Sequence, residues 1–337
     1  MFEGFIPALA FLVLLAWCID YINGFHDTAN AIATVVGTGV MPAKAAIGMA
    51  AILNFCGALM GTSVATAIAK GIADSSNVVP AVIAAALLAA ITWDLLTWWF
   101  GIPSSTSHTL MGGLAGAVVA HAGVKALHLK KLKEIGAFII ISPLFGFLMG
   151  MFLIVTILWI VRRIPGHRIN KFFRKAQIVS AAAMAFTHGQ NDAQKAMGII
   201  CLAMLTYKVH LPLDTAGKVI IPLWVKLGSA AFMGLGTASG GWKIIKTMGT
   251  KIVKLKPIHG FAAETAAAIV LFTTAHMGIP VSTTHSITGS IMGVGASMNA
   301  RAVRWGLSAN IFVAWVLTIP VSAALATLFY HLLKGHL

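Results

Sequence analysis

Apolar runs follow one another along almost the whole chain, and short polar stretches punctuate them. Residues 5–22 are apolar. Then comes Asn23-Gly24-Phe25-His26-Asp27-Thr28-Ala29-Asn30, after which the apolar pattern resumes over 31–40. Residues 44–70 and 78–100 read as two more spans, 101–120 as a Gly-rich span or re-entrant arm, and 135–161 as a further span holding Pro143. After a basic stretch, 162–175, the order starts again. An apolar run, 176–186, meets Thr187-His188-Gly189-Gln190-Asn191-Asp192-Ala193-Gln194-Lys195 and resumes to Leu205. Residues 219–235 form a span, 237–256 read as a Gly- and Lys-rich loop, and 260–277, 278–298 and 306–330 close the chain. A bilayer-crossing helix needs about 20 apolar residues. The pattern therefore predicts an all-α polytopic membrane protein of roughly 10–12 membrane segments. Two repeats are expected, 1–161 and 176–337, joined by a basic inter-repeat loop at 162–175. An ionisable pair inside an apolar run predicts a broken helix at each polar stretch.

One short segment occurs twice. Gly101-Ile102-Pro103-Ser104-Ser105-Thr106-Ser107-His108 returns as Gly278-Ile279-Pro280-Val281-Ser282-Thr283-Thr284-His285, each copy following an apolar run and opening a Gly-rich one. Proline ahead of a hydroxyl cluster is a helix-start signal. A helix start offers free N–H groups and the positive end of the dipole, which is anion-binding chemistry. Two such starts, each paired with a broken acid-bearing helix in the matching half, are the sequence pattern of a secondary transporter with its site at the repeat interface. Inverted orientation of the two repeats is the expected arrangement, with re-entrant hairpins at the Gly-Ile-Pro segments.

Composition agrees. Hydrophobic residues make up 58% and charged residues 10%, against about 25% charged in an average soluble domain; mean hydropathy is +0.89. The formal net charge of +15 comes mostly from clusters between apolar runs (residues 125–133, 162–175 and 243–256), which suit lipid headgroups and not nucleic acid. Cys18, Cys56 and Cys201 lie in apolar runs and read as core residues, not as a disulfide framework or metal site.

The residues divide into roles by their chemistry. Asp27 and Asp192 are candidate cation or proton carriers: a carboxylate next to a bound anion requires a neutralising cation, which couples the two. Asn30 follows Asp27 by three residues, on the same helical face, with an amide that can donate to a bound anion. Lys195 holds the corresponding place in the second half, where its ammonium can act as a tethered cation. Ser105, Thr106, Ser107, Ser282, Thr283 and Thr284 are candidate anion ligands, with helix capping as the competing role. Asn191 and Glu264 join the acids as candidate cation-coupling groups, and His26, His188, His108 and His285 are candidate proton relays.

The two polar stretches and the two Pro-x-Ser segments resemble the signature and the hairpins of the inorganic phosphate transporter (PiT) family, across nearly the whole chain. The resemblance implies a prokaryotic cell-membrane transporter, in contact with lipid and assembled as a homodimer, that moves inorganic phosphate by symport. His26 stands where sodium-type members have Asn, Lys195 where the first half has Asn30, and Asn54 where some relatives have Glu. His26 and Lys195 are similar to the bacterial low-affinity Pit branch, described as proton-coupled and able to carry metal–phosphate. Proton coupling is therefore expected, with sodium coupling and sulfate as alternatives. No cofactor and no resident metal are expected. An intramembrane Ser/His hydrolase is the alternative of another class, since Ser105 and His108 share a helix face, but no third orienting acid sits in the segment and the unit is duplicated.

Overall fold

The computed structural model describes residues 5–69, 77–214, 219–279 and 281–336; Pro280 and the end of the span at 44–70 lie outside them. The helices are α1 Phe5–Gly37, α2 Ala43–Ala58, α3 Ser63–Ala69, α4 Pro80–Phe100, α5 Thr106–Ala122, α6 Leu129–Val161, α7 Gly166–Thr206, α8 Leu223–Ser239, α9 Trp242–Lys246, α10 Pro257–His276, α11 Thr283–Met298 and α12 Trp305–Leu333. A π-helical turn, Thr247–Lys251, follows α9. Among the described residues five helices are long and apolar enough to cross a membrane. α6 and α12 have only 17% and 28% of their apolar windows buried, against 50–67% for α1, α4 and α10. They form the outer wall, with Phe145, Phe152 and Trp159 of α6 exposed. The protein is an all-α, multi-pass membrane protein.

The packing of one half is repeated in the other. α1 packs on α8 as α7 packs on α2; α5 packs on α12 as α11 packs on α6; α4 touches α5 and α12 as α10 touches α11 and α6. Glycines at matched positions make these contacts. A Cβ on Gly24 would strike the carbonyl of Met233, and one on Gly189 that of Asn54; Gly236 meets the carbonyl of Tyr21 as Gly57 meets that of Phe186. Gly112 and Gly116 lie on Ile319 and Ala323, just as Gly289 and Gly293 lie on Pro143 and Phe147. Without a hydrophobic drive between helices in lipid, backbones brought together by small residues supply the association energy. Gly101 and Gly278, which end the helices ahead of the hydroxyl segments, both adopt φ 68°, open to glycine at little cost.

Two expectations change. The polar stretches do not break their helices: α1 runs unbroken through Asn23–Asn30 and α7 through Thr187–Lys195. Gly24 and Gly189 are places of close helix contact, not hinges, no proline intervenes, and the polar side chains find partners on neighbouring helices. The interruptions fall instead between α2 and α3, around Gly61 (φ +88°), and between α8 and α9, at Gly240 (φ +73°). Likewise, most of the basic stretch 162–175 is helix: after Pro165, which fixes the backbone at the cap position, α7 begins at Gly166. Residues 242–251, read as loop, are also helical.

Two buried apolar clusters flank the polar segments. One contains Leu12–Ile19 of α1 and Ala193–Met204 of α7, the other Ala29–Val35 of α1 and Phe173–Ala185 of α7. Asp27 and Asp192 therefore sit at the seam between two cores.

Candidate functional site

Each hydroxyl segment enters its helix the same way. Ser105 and Ser282 adopt extended backbone and are N-caps: the Ser105 hydroxyl accepts from the His108 backbone N–H at 3.3 Å, and that of Ser282 from the His285 N–H at 3.2 Å. Their lone pairs thus satisfy the orphan donors of the first turn, a structural duty common to both copies. The same geometry removes the hydrolase arrangement, because Ser105 meets the backbone of His108 and not its ring. Thr106, Ser107, Thr283 and Thr284, one and two residues further on, are all buried.

α1, α7 and the start of α11 converge on the two acids, both buried to within 2% exposure. Thr284 donates to Asp27 Oδ2 (3.4 Å) and Thr283 to Asp192 Oδ2 (3.3 Å). The Asn30 amide reaches both hydroxyls, at 3.2 and 2.9 Å. Asp192 Oδ1 accepts from Lys195 Nζ at 2.6 Å, one helical turn away, and its Oδ2 accepts from Asn23 at 3.1 Å. His188 Nε2 lies 3.6 Å from the same carboxylate. Asp27 Oδ1 is 2.7 Å from His26 Nδ1, whose other ring nitrogen is 3.1 Å from the Thr97 hydroxyl. Donor atoms of Asp27, His188 and Asp192 lie within 4.8 Å of one another, a set that a cation can bridge. Among the described residues, the Asn30 and Asn191 carbonyl oxygens and the Thr106 hydroxyl are buried without a hydrogen-bond partner. A carboxylate pair held this closely, edged by hydroxyls and amides, binds an anion only when positive charge or protons offset the repulsion.

The matched hydroxyls do not act alike. Thr283 and Thr284 reach the acids, whereas Ser107 donates to the Val281 carbonyl at 3.3 Å, and Thr106 bonds neither acid. His108 and His285 lie beside each other, ring centres 4.8 Å apart. His285 stacks on Trp315, whose indole N–H donates to the Pro103 carbonyl. This pair locks the two helix starts together and makes no bond to Asp27 or Asp192. Asn191 turns its amide to the Leu271 carbonyl (2.9 Å). Glu264 occupies a pocket of its own, where it accepts from Thr34, Ser180 and Gln177 (3.0 Å for the last). Thr34 lies seven residues past Asp27, about 10 Å along α1.

Several members of the network were not singled out from sequence. Asn23, Thr97 and Ser104 touch the acids or His26. Asn54, marked in the sequence only as standing where some relatives have Glu, bridges His188 and Thr237 (3.1 and 2.8 Å). Asn23 was within reach, standing four residues before Asp27 on the face that turns to α7. Thr97 gave no signal, because a single polar residue in an apolar helix most often bonds its own backbone.

A polytopic helical protein with duplicated helix starts, one of them reaching a central pair of buried acids, has the layout of a membrane transporter. Comparison with known proteins names the kind. A family model described as "Phosphate transporter family" matches residues 23–326. The chain is 46% identical over 325 residues to the "Probable low-affinity inorganic phosphate transporter" of Bacillus subtilis, covering 96% of each. It is 45% identical over 325 residues to the Rhizobium meliloti protein of the same description, again covering 96% of each. A solved structure, "The sodium-dependent phosphate transporter", superposes with a TM-score of 0.88 at 25% identity, covering 98% of this chain and all of that one. The chain belongs to the phosphate transporter family, whose members are transporters and not enzymes.

Proposed function

We propose that this protein imports inorganic phosphate across the cell membrane by symport with a proton, through alternating access between two inverted repeats, 1–161 and 176–337. The observation that carries the proton is that both central acids come with a built-in partner. Lys195 Nζ stands 2.6 Å from Asp192, and His26 Nδ1 stands 2.7 Å from Asp27. The tethered ammonium offsets one carboxylate, where its counterpart Asn30 leaves room for a mobile ion. The imidazole beside Asp27 is a group that can take up and release a proton. Phosphate then binds among Thr283, Thr284 and Asn30, with Thr106 and Ser107 from the other helix start, once Asp27 and His26 hold a proton between them.

A specific observation supports a second cargo. The Asp27, His188 and Asp192 donors can take a divalent cation, so phosphate can enter as its metal complex. A homodimer belongs to the same proposal, by family resemblance. The test is phosphate uptake into proteoliposomes under separate proton and sodium gradients, with and without Mg²⁺. Accumulation driven by an acid exterior in sodium-free buffer is the expected result. Accumulation under a sodium gradient alone, with none under the pH gradient, would overturn proton coupling.

A further inference from the structure

A second buried acid lies on the far side of the His26 ring. Asp94, on α4, is 0% exposed. Its Oδ1 accepts from Thr109 at 3.0 Å, while Oδ2 has no well-formed hydrogen bond among the described residues. Thr106, in the first hydroxyl segment, stands beside the same carboxyl, and its Oγ1 closes no hydrogen bond of good geometry among the described residues. One turn along α4 from Asp94, Thr97 contacts His26 Nε2 (3.1 Å) and the Ser104 hydroxyl (2.8 Å). The titratable groups around Asp94 are His26 and Asp27 of α1; α5 presents it with hydroxyls. Two idle oxygens side by side in a dry interior are unfavourable unless something joins them.

The repeat shows that the fold does not require this acid. The register that carries Gly101 onto Gly278 carries Thr97 onto Thr274 and Asp94 onto Leu271. The register that carries Asp27 onto Asp192 carries His26 onto Asn191. In the second half the corresponding contact is neutral: the Asn191 amide donates to the Leu271 carbonyl at 2.9 Å. The first half replaces both members with ionisable residues, at about 2.5–3.5 kcal/mol for an acid at membrane depth.

We propose that Asp94, with the hydroxyls of Thr106 and Thr109, is a second seat for the coupling cation, separate from the centre at Asp27 and Asp192. Under the reading above that cation is a proton on Oδ2, donated to Thr106 Oγ1. A small monovalent cation held by the three oxygens is the equivalent under sodium coupling. Loading the seat ties the start of α5 to α4 and so links cation occupancy to the position of the first hydroxyl segment.

The test compares gradient-driven phosphate accumulation with phosphate–phosphate exchange at equal ion concentrations, for wild type, Asp94→Asn and Asp94→Glu, under a proton and, separately, a sodium gradient. Asp94→Asn is expected to lower accumulation about tenfold more than it lowers exchange. It should also reduce the number of cations moved per phosphate, read from the ion gradient that just balances a phosphate gradient. Asp94→Glu should restore part of the accumulation. An unchanged balance point in Asp94→Asn, or equal losses of accumulation and exchange, reduces Asp94 to a brace between α4 and α5 and overturns the proposal. If wild type answers to sodium and not protons, the proton reading fails, while the Asp94 seat is judged on the sodium arm.

Discussion

Lys195→Asn is the sharpest perturbation the structure offers, because it gives the second half the residue that Asn30 supplies in the first. In the native protein Lys195 Nζ sits 2.6 Å from Asp192 Oδ1, both side chains buried. Removing the ammonium leaves Asp192 with Asn23 at 3.1 Å, Thr283 at 3.3 Å and His188 at 3.6 Å. Asn23 and Thr283 carry no charge, and His188 offsets one only when protonated. Breaking one side of a buried ion pair costs about 3–5 kcal/mol. At about 1.4 kcal/mol per decade that is roughly two to three and a half orders of magnitude in the affinity of a site that must also accept an anion. The variant can recover only by binding a cation or a proton where the ammonium stood. The assay is phosphate uptake into proteoliposomes at a fixed pH gradient, with choline chloride exchanged stepwise for sodium chloride. Uptake in choline should fall about 100-fold and rise again as sodium is added. Wild-type uptake in sodium-free buffer would refute the tethered-cation role. So would a folded variant that sodium cannot rescue, since a neutral Asn at this position should leave the vacant charge open to an ion.

Two further outcomes follow from the packing and the hydroxyls. Gly189→Ala drives a methyl into the Asn54 carbonyl and should destabilise the protein by about 1–3 kcal/mol, whereas Gly136→Ala, with nothing within 4 Å, should be neutral or stabilising; thermal unfolding in detergent separates them, and equal melting temperatures would sink the close-contact reading. Thr283→Val with Thr284→Val removes the donors to both acids and should raise the KM for phosphate about tenfold, while Ser282→Ala, which strips only a cap, should lower stability by about 1 kcal/mol with a smaller effect on KM; the reverse order would return the ligand role to Ser282.

The membrane class, the duplication and the central acids were legible in the sequence, because each rests on a local signal: runs of apolar residues, a repeated eight-residue segment, an acid where lipid forbids one. What was not legible depends on partners distant in sequence. The polar stretch around Asp27 reads as a helix break as long as its side chains lack partners. Thr283, Thr284 and Asp192 supply those partners from the other half, and the helix continues. Gly24 and Gly189 look like hinges until α8 and α2 are laid against them. Ser105 and Ser282 belong to a hydroxyl cluster that the sequence cannot divide into cap and ligand; the division follows from which hydroxyl faces its own first turn. The pairing of His26 with Thr97, Ser104 and the surroundings of Asp94 spans more than seventy positions and left no trace in spacing.

Duplication and departure from it carry different parts of the function. Glycines in matched positions place four pairs of helices alike, so the scaffold is held to the symmetric pattern in each half. Charge is not held to it. His26 faces the chain where Asn191 does, Asp94 where Leu271 does, and Lys195 where Asn30 does. A scaffold of two like halves would give an anion the same surroundings whichever half it faced. Gradient coupling needs the surroundings to depend on a cation, and a difference in charge between the halves provides that dependence. All three departures gather within one or two contacts of Asp27 and Asp192, where a bound anion would feel them most strongly. Under the proton-symport proposal, the first half carries the exchangeable charge and the second the fixed one. On this basis, moving the ammonium to the first half by Asn30→Lys with Lys195→Asn should transfer the cation requirement from Asp27 to Asp192 and leave the helix packing intact.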